Sequence, residues 1–374
     1  MKKLFIVLML SFVVSICFGN YHYKLVVKTT TLNKSKLTLD ILGNGSRREI
    51  MSTTSSAFTN NTLSISGNAS QPSNFASISV SIGGRLNSLI FVLDSGLNHI
   101  DLNIIGDKYK SLKVSNSSAK GNMLYTEAQK IIFDTFEVMK PKKGEVNVAI
   151  PRDLMVQASL KVLAYLQTHP KDFASLLLMN FETNTDRSVI FSKSILAAID
   201  QLSDELKQSS LGQQLQREQH ALVDNIEAAE AGKPVPEFTV NDFIGGRFSN
   251  SSLAGQNYII AFSAVWCIPC QERIPKLVEL YDRHKAQGLK IVYFNNDGDS
   301  ERWKNHVEKN NISNWINVSE GLSSSQSKIQ KSFGIYAIPT FLLVNKEGII
   351  VYNSSKEEID DVAQLGLKVK ELYK

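Results

Sequence analysis

Two of the chain's three cysteines stand three residues apart in the run Ala264-Val265-Trp266-Cys267-Ile268-Pro269-Cys270. On a helix that spacing brings their Cβ atoms to about 5–6 Å, close to the range a disulfide requires. The ring can close with little backbone cost and open again, which suits a redox switch. An apolar run at 258–264 precedes the pair and reads as a buried strand, and a helix follows to about His284. Cys267 therefore falls where the strand gives way to the helix. Free backbone N–H groups and the positive end of the helix dipole favour a thiolate there. Pro269 fits the first turn, where its missing N–H would have no helical partner. Cys267 is the expected attacking nucleophile. Cys270, one turn inside and more buried, is the expected resolving thiol.

Other uses of such a pair compete. Half of a zinc site would need further ligands, but there is no second cysteine pair and the six histidines show no ligand spacing. No metal is therefore expected. A static disulfide would close so short a loop that it restricts the unfolded chain least. Two alternatives remain: a binding module that does not cycle its cysteines, and a thiol peroxidase.

The chain has 374 residues, 43% of them hydrophobic and 21% charged, which excludes wholesale disorder and a polytopic membrane protein. A net charge of +5, from 41 basic and 36 acidic residues without a dense basic block, gives no argument for nucleic acid. Lys2 and Lys3 precede an apolar run from Leu4 to Phe18, so residues 1–19 read as a signal peptide cut after Gly19. Fifteen residues would rise about 22 Å as a helix, short of the roughly 30 Å hydrocarbon core. Cys17 offers a second outcome, lipid attachment, although Ile16 precedes it where a small residue is wanted. No later segment reaches the roughly 18 apolar residues of a spanning helix, so no transmembrane segment is expected in the mature chain.

Three regions follow. Residues 20–119 read as strands at 23–29, 37–42, 62–68, 76–82, 89–95 and 99–105, with turns at Asn44-Gly45, Gly67-Asn68 and Gly83-Gly84. They suggest a small antiparallel sandwich or partial barrel, in which His99 is a surface group. Residues 120–231 turn helical: Leu154, Ala158, Val162 and Leu166 share one face, and helices are expected at 194–207 and 211–230. This region reads as a connector. Gly232, Pro234 and Pro236 mark a boundary, and residues 232–374 then run strand, helix, strand, helix, with a further helix at 323–333. A hairpin at 340–353 follows, and a last helix opens at Ser355 with Glu358 completing a capping box. That order suits an α/β fold with a mixed central sheet.

The third region resembles the thioredoxin superfamily, in particular the TlpA- or ResA-like envelope thiol–disulfide oxidoreductases. The likeness rests on Gly232-Lys233-Pro234-Val235-Pro236-Glu237-Phe238, Trp266-Cys267-Ile268-Pro269-Cys270, Pro275 and Ile338-Pro339-Thr340. It implies a thioredoxin-like fold over 232–374 with a cis peptide before Pro339, facing the cysteines. The backbone of Ile338 would then pair with an extended substrate, and Trp266 would cover one side of the cysteines. The resemblance also implies reduction of disulfide-containing envelope proteins, recharging by an upstream membrane thiol reductant, and no cofactor beyond the redox-active disulfide. Two positions depart from the family. Ala261 stands where thioredoxins have a buried aspartate, and Arg273 where many envelope members have a glutamate. Glu272 is one position early, about 100° around the helix, and is the candidate proton relay. The order of export signal, β-rich domain, helical stretch and thioredoxin-like domain is similar to that of many Bacteroidetes proteins, which implies a periplasmic location.

Overall fold

The computed structural model describes residues 21–32, 36–42, 50–82, 84–105, 111–139, 149–356 and 361–374. The expectations for residues 1–19 with Cys17, for the Asn44-Gly45 turn and for Glu358 lie outside them. The chain divides into two compact units. One runs to Thr185 and includes Ala197–Gln213; the other takes Asp186–Leu196 and Gln214–Lys374.

The first unit opens with β1 (Tyr21–Lys28), β2 (Lys36–Leu42), β3 (Ile50–Ala57), β4 (Thr62–Ala69), β5 (Ser73–Ile82), β6 (Arg85–Asp94), β7 (Gly96–Ile105) and β8 (Ser111–Ser117). They form two four-stranded sheets, ordered β4-β1-β7-β8 and β3-β2-β5-β6. Alternate residues such as Leu25, Val27, Leu39, Ile78, Phe91 and Ile100 point into one core shared by both sheets. The result is a sandwich, but not a purely antiparallel one: β1 and β7 pair parallel, with Val26 opposite His99. These strands are distant in sequence, so no tight turn imposes an antiparallel direction. His99 is exposed, as expected.

Helices α1 (Lys120–Phe136), α2 (Arg152–Leu166) and α3 (Phe173–Glu182) follow. The break at His169-Pro170 separates α2 from α3, and Ala158, Val162 and Leu166 are buried. α1 packs against β6, and α3 against β5. Phe75 of β5 meets Tyr125 and Phe181 edge to face at centroid distances of 5.9 and 5.6 Å. Asp94, at the end of β6, accepts the Gly121 N–H at 2.7 Å in the first turn of α1. These helices are thus part of the β-rich unit. The region after them, α4 (Val189–Asp200), α5 (Asp204–Gln208) and α6 (Ser210–Ala228), is divided between the two units. The helix expected at 194–207 is interrupted because Ser203 adopts an extended conformation before α5.

The second unit contains β9 (Thr239–Asp242), β10 (Arg247–Ser249), β11 (Tyr258–Ser263), α7 (Ile268–His284), β12 (Lys290–Asn295) and α8 (Ser300–Lys309). After these come β13 (Ile316–Ser319), α9 (Lys328–Ser332), β14 (Thr340–Val344), β15 (Ile350–Asn353) and α10 (Asp361–Leu372). The seven strands make one mixed sheet, ordered β10-β9-β13-β12-β11-β14-β15. β11 lies parallel to β12 and antiparallel to β14, and all six of its residues are buried. Ile259 and Ala261 face a core built with α7, α8 and α10. Tyr258, Ile260 and Phe262 face a second core with Phe238, Phe333 and Ala229. Apolar contacts on both faces explain why β11 reads as a continuous apolar run.

This unit begins upstream of Gly232. Ala229, just beyond α6, is fully buried in its core and its carbonyl accepts from Asn353 Nδ2 at 2.8 Å. Helix α9 is shorter than the expected 323–333. Ser327 Oγ accepts the Gln330 N–H at 3.0 Å and so starts the helix late. The preceding Ser323 spends its hydroxyl on Gln326. Ser355 lies in a short 3₁₀ turn, and the last α-helix is described from Asp361.

Gly334 ends α9 with φ of +59°, and a Cβ there would lie 2.5 Å from the Ile226 backbone of α6. Both the left-handed backbone and the lack of space exclude a side chain. Gly334→Ala is therefore expected to destabilise the protein by more than about 2 kcal/mol, read as a lowered urea midpoint of the C-terminal unit's transition.

Candidate active site

β11 ends at Ser263 in the middle of the sheet, and α7 begins five residues later at Ile268. The Cys267 N–H donates to the Ala264 carbonyl at 3.1 Å, which turns the chain out of the strand. Cys267 is then the N-cap of α7: its backbone is extended and its sulfur receives the Cys270 N–H at 3.2 Å. The sulfur occupies the place that a serine or aspartate oxygen takes in an ordinary cap. Pro269 sits in the first turn as expected. A thiolate at this position would gain a charge-assisted hydrogen bond and the favourable end of a 17-residue helix dipole.

The two cysteines are joined by a disulfide with a Cα–Cα distance of 5.2 Å. The expected difference in burial is slight, with Cys267 5% and Cys270 3% exposed. What separates them is their surroundings. Cys267 adjoins Trp266, 53% exposed, and Ile268, 72% exposed, so the open rim of the site lies on its side. The Ile338–Pro339 peptide is cis. The Ile338 carbonyl lies 3.8 Å from the Cys267 sulfur, so the two halves of the motif meet although 71 residues separate them. Ile338 also packs on the small buried cluster of Ala264, Cys267 and Cys270.

Glu272 lies elsewhere. Its side chain is 65% exposed, its carboxylate is 3.6 Å from Arg273, and no hydrogen bond joins it to Cys270 among the described residues. Pro275 lies within α7, as the motif predicts. Among the described residues no group of three or more His, Cys, Asp or Glu side chains could hold a metal ion.

The sequence reading missed the polar floor beneath the pair. Gln271 Nε2 donates to the Ala264 carbonyl at 2.8 Å, the same oxygen that receives the Cys267 N–H. Gln271 also reaches the hydroxyl of Tyr293. That hydroxyl is 2.9 Å from Ser263 Oγ and 3.1 Å from His306 Nε2. Burial pushes the Tyr293 phenol up to about 12 and lowers His306 below the usual imidazole range. A tyrosine inside an otherwise apolar buried strand was the available signal, because its hydroxyl must find a partner.

Residues 255–350 match the family model described as thioredoxin-like. A thiol-disulfide oxidoreductase ResA from Bacillus thuringiensis subsp. konkukian is 27% identical over 142 residues, spanning 38% of this chain and 79% of that protein. A tryparedoxin from Trypanosoma brucei brucei is 28% identical over 116 residues, 30% of this chain and 78% of that protein. The thioredoxin domain of a thiol-disulfide oxidoreductase from Bacteroides vulgatus is 26% identical, covering 37% of this chain and 97% of its own, with a TM-score of 0.33. Residues 255–350 are thus thioredoxin-like, and the C-terminal unit that holds them is similar to the TlpA- or ResA-like thiol–disulfide oxidoreductases.

Proposed function

We propose that this protein is an exported thiol–disulfide oxidoreductase of the cell envelope that reduces protein disulfides through Cys267 and Cys270. The observation that carries this reading is the position of the Cys267 sulfur. It caps α7, where negative charge is favoured, and it borders both the Ile338 carbonyl and the exposed Trp266 and Ile268. An extended substrate laid along Ile338 would bring its own disulfide to that sulfur.

The reaction proceeds from the reduced pair. The Cys267 thiolate attacks one sulfur of the substrate disulfide, that bond breaks, and the departing sulfur takes a proton from solvent. Cys270 then loses its proton and attacks the Cys267 sulfur of the mixed disulfide. The Cys267–Cys270 bond forms, the second substrate thiol is released, and two electrons have passed to the substrate. A membrane-bound dithiol donor would reduce the pair again. No metal or bound cofactor takes part. A proton moving from Cys270 to Glu272 would have to travel through water, given the exposed position of that carboxylate.

The periplasm is the compartment we assign. The basic start and apolar run within residues 1–19 support it.

Cys267→Ser is expected to lower disulfide reductase activity about 100-fold or more, measured with a reduced protein and a disulfide-containing polypeptide. Cys270→Ser should instead accumulate a mixed disulfide through Cys267, visible as an added mass on a non-reducing gel. Unaltered turnover in either variant would contradict the assignment. Trp266→Ala is expected to lower kcat/KM about tenfold, equivalent to about 1.4 kcal/mol. The reduction potential should hold, because the change removes substrate contact and leaves the cap intact.

A further inference from the structure

His306 carries a fixed hydrogen-bond pattern. Asn310 Nδ2 donates to the His306 backbone carbonyl at 2.8 Å, which sets the amide orientation, and the same nitrogen lies 3.1 Å from His306 Nδ1. Nδ1 is therefore the acceptor and the neutral ring holds its proton on Nε2. That N–H points to the Tyr293 oxygen, to which Gln271 also donates, leaving the phenol O–H for Ser263 Oγ. The two rings lie nearly parallel, 24° apart with centroids at 6.0 Å. Protonating Nδ1 would set one donor against another, so ionisation of His306 requires this pattern to break.

The pattern ends at the cysteines. Gln271 is the residue after Cys270, and its side chain shares the Ala264 carbonyl with the Cys267 N–H. Ala261, on the same face of β11 as Ser263, pairs in register with Tyr293. That face of the strand carries no carboxylate, and Tyr293 brings its hydroxyl to Ser263 Oγ with the imidazole behind it. We infer that Tyr293 and His306 are positioning residues for the redox pair: they hold Gln271 and the Ala264 carbonyl in place and couple the charge on His306 to the state of Cys267. This rests on the reading that the pair cycles.

β12 presents Tyr293 to the imidazole, and Asp297 follows it with its carboxylate 3.5 Å from Arg302. α8 presents Lys309, and the uncharged Gln271 of α7 and Ser263 of β11 lie against the Tyr293 hydroxyl. Burial and then Lys309 disfavour the imidazolium, while Asp297 favours it. A thiolate at Cys267 adds a second favourable charge that the disulfide lacks. His306 must then titrate at a higher pH in the reduced protein than in the oxidised protein, and by linkage the imidazolium must favour the thiolate equally.

The test is a titration of the His306 ring by long-range 1H–15N NMR on the full chain in both redox states. A higher midpoint in the reduced state is expected, and coincident midpoints would overturn the proposal. Cys267 alkylation by iodoacetamide gives a second readout. Tyr293→Phe is expected to slow it about threefold and abolish the redox dependence of the His306 midpoint. His306→Gln, which keeps a donor for Tyr293 but cannot charge, should keep the unaltered protein's rate at pH 7 and lose the acid limb of its pH profile. Wild-type profiles in both variants would contradict the inference even though the pair cycles. A pair that does not cycle in the unaltered protein would instead refute the reductase reading.

Discussion

The amide of Cys270 points at the sulfur of Cys267, and the C-terminal unit is arranged around that contact. It requires a strand that ends in the middle of the sheet, a turn closed by the Ala264 carbonyl, and a helix whose first turn has an amide to spare. β11 supplies the first requirement because both its faces are buried, which holds it between β12 and β14. Pro269 respects the third, since it replaces an amide that no helical carbonyl could have received. The capping hydrogen bond that starts α7 is therefore also the interaction that would steady a thiolate, and local structure and chemistry come from one geometry.

A second requirement is that a distant part of the chain reaches the same sulfur. The loop carrying Ile338 and Pro339 does so because β14 lies antiparallel to β11, which places the beginning of β14 beside the end of β11. Upstream residues steady that loop. Arg187 lies over the Tyr336 ring at 5.1 Å, and α6 packs so closely on Gly334 that no Cβ fits. Segments read as a connector therefore pack against the residues that lead into Ile338.

The legible parts of the site were those written in short-range spacing. Cys267 and Cys270 lie one helical turn apart, and the strand before them is an uninterrupted apolar run, so their junction could be placed from sequence alone. Ile338-Pro339 was legible by resemblance. β9 and β13 were not, because four residues with polar neighbours leave no usable period. The parallel pairing of β1 with β7 depends on two strands separated by most of the sandwich. The Ser263, Tyr293 and His306 constellation draws on β11, β12 and α8, and no local pattern brings those three together. Helix limits failed where serine side chains satisfied the backbone, as at Ser327.

Electron exchange between the Cys267–Cys270 pair and other thiols, with the pair as the reducing couple, is open to direct measurement. The protein is equilibrated with thiol redox buffers, and free thiols are trapped and counted by mass. A single two-electron transition is expected, with a potential near or below about −250 mV. A value near about −120 mV would mark an oxidant and contradict the direction of transfer, and a pair that stays oxidised throughout would contradict the enzymatic reading itself.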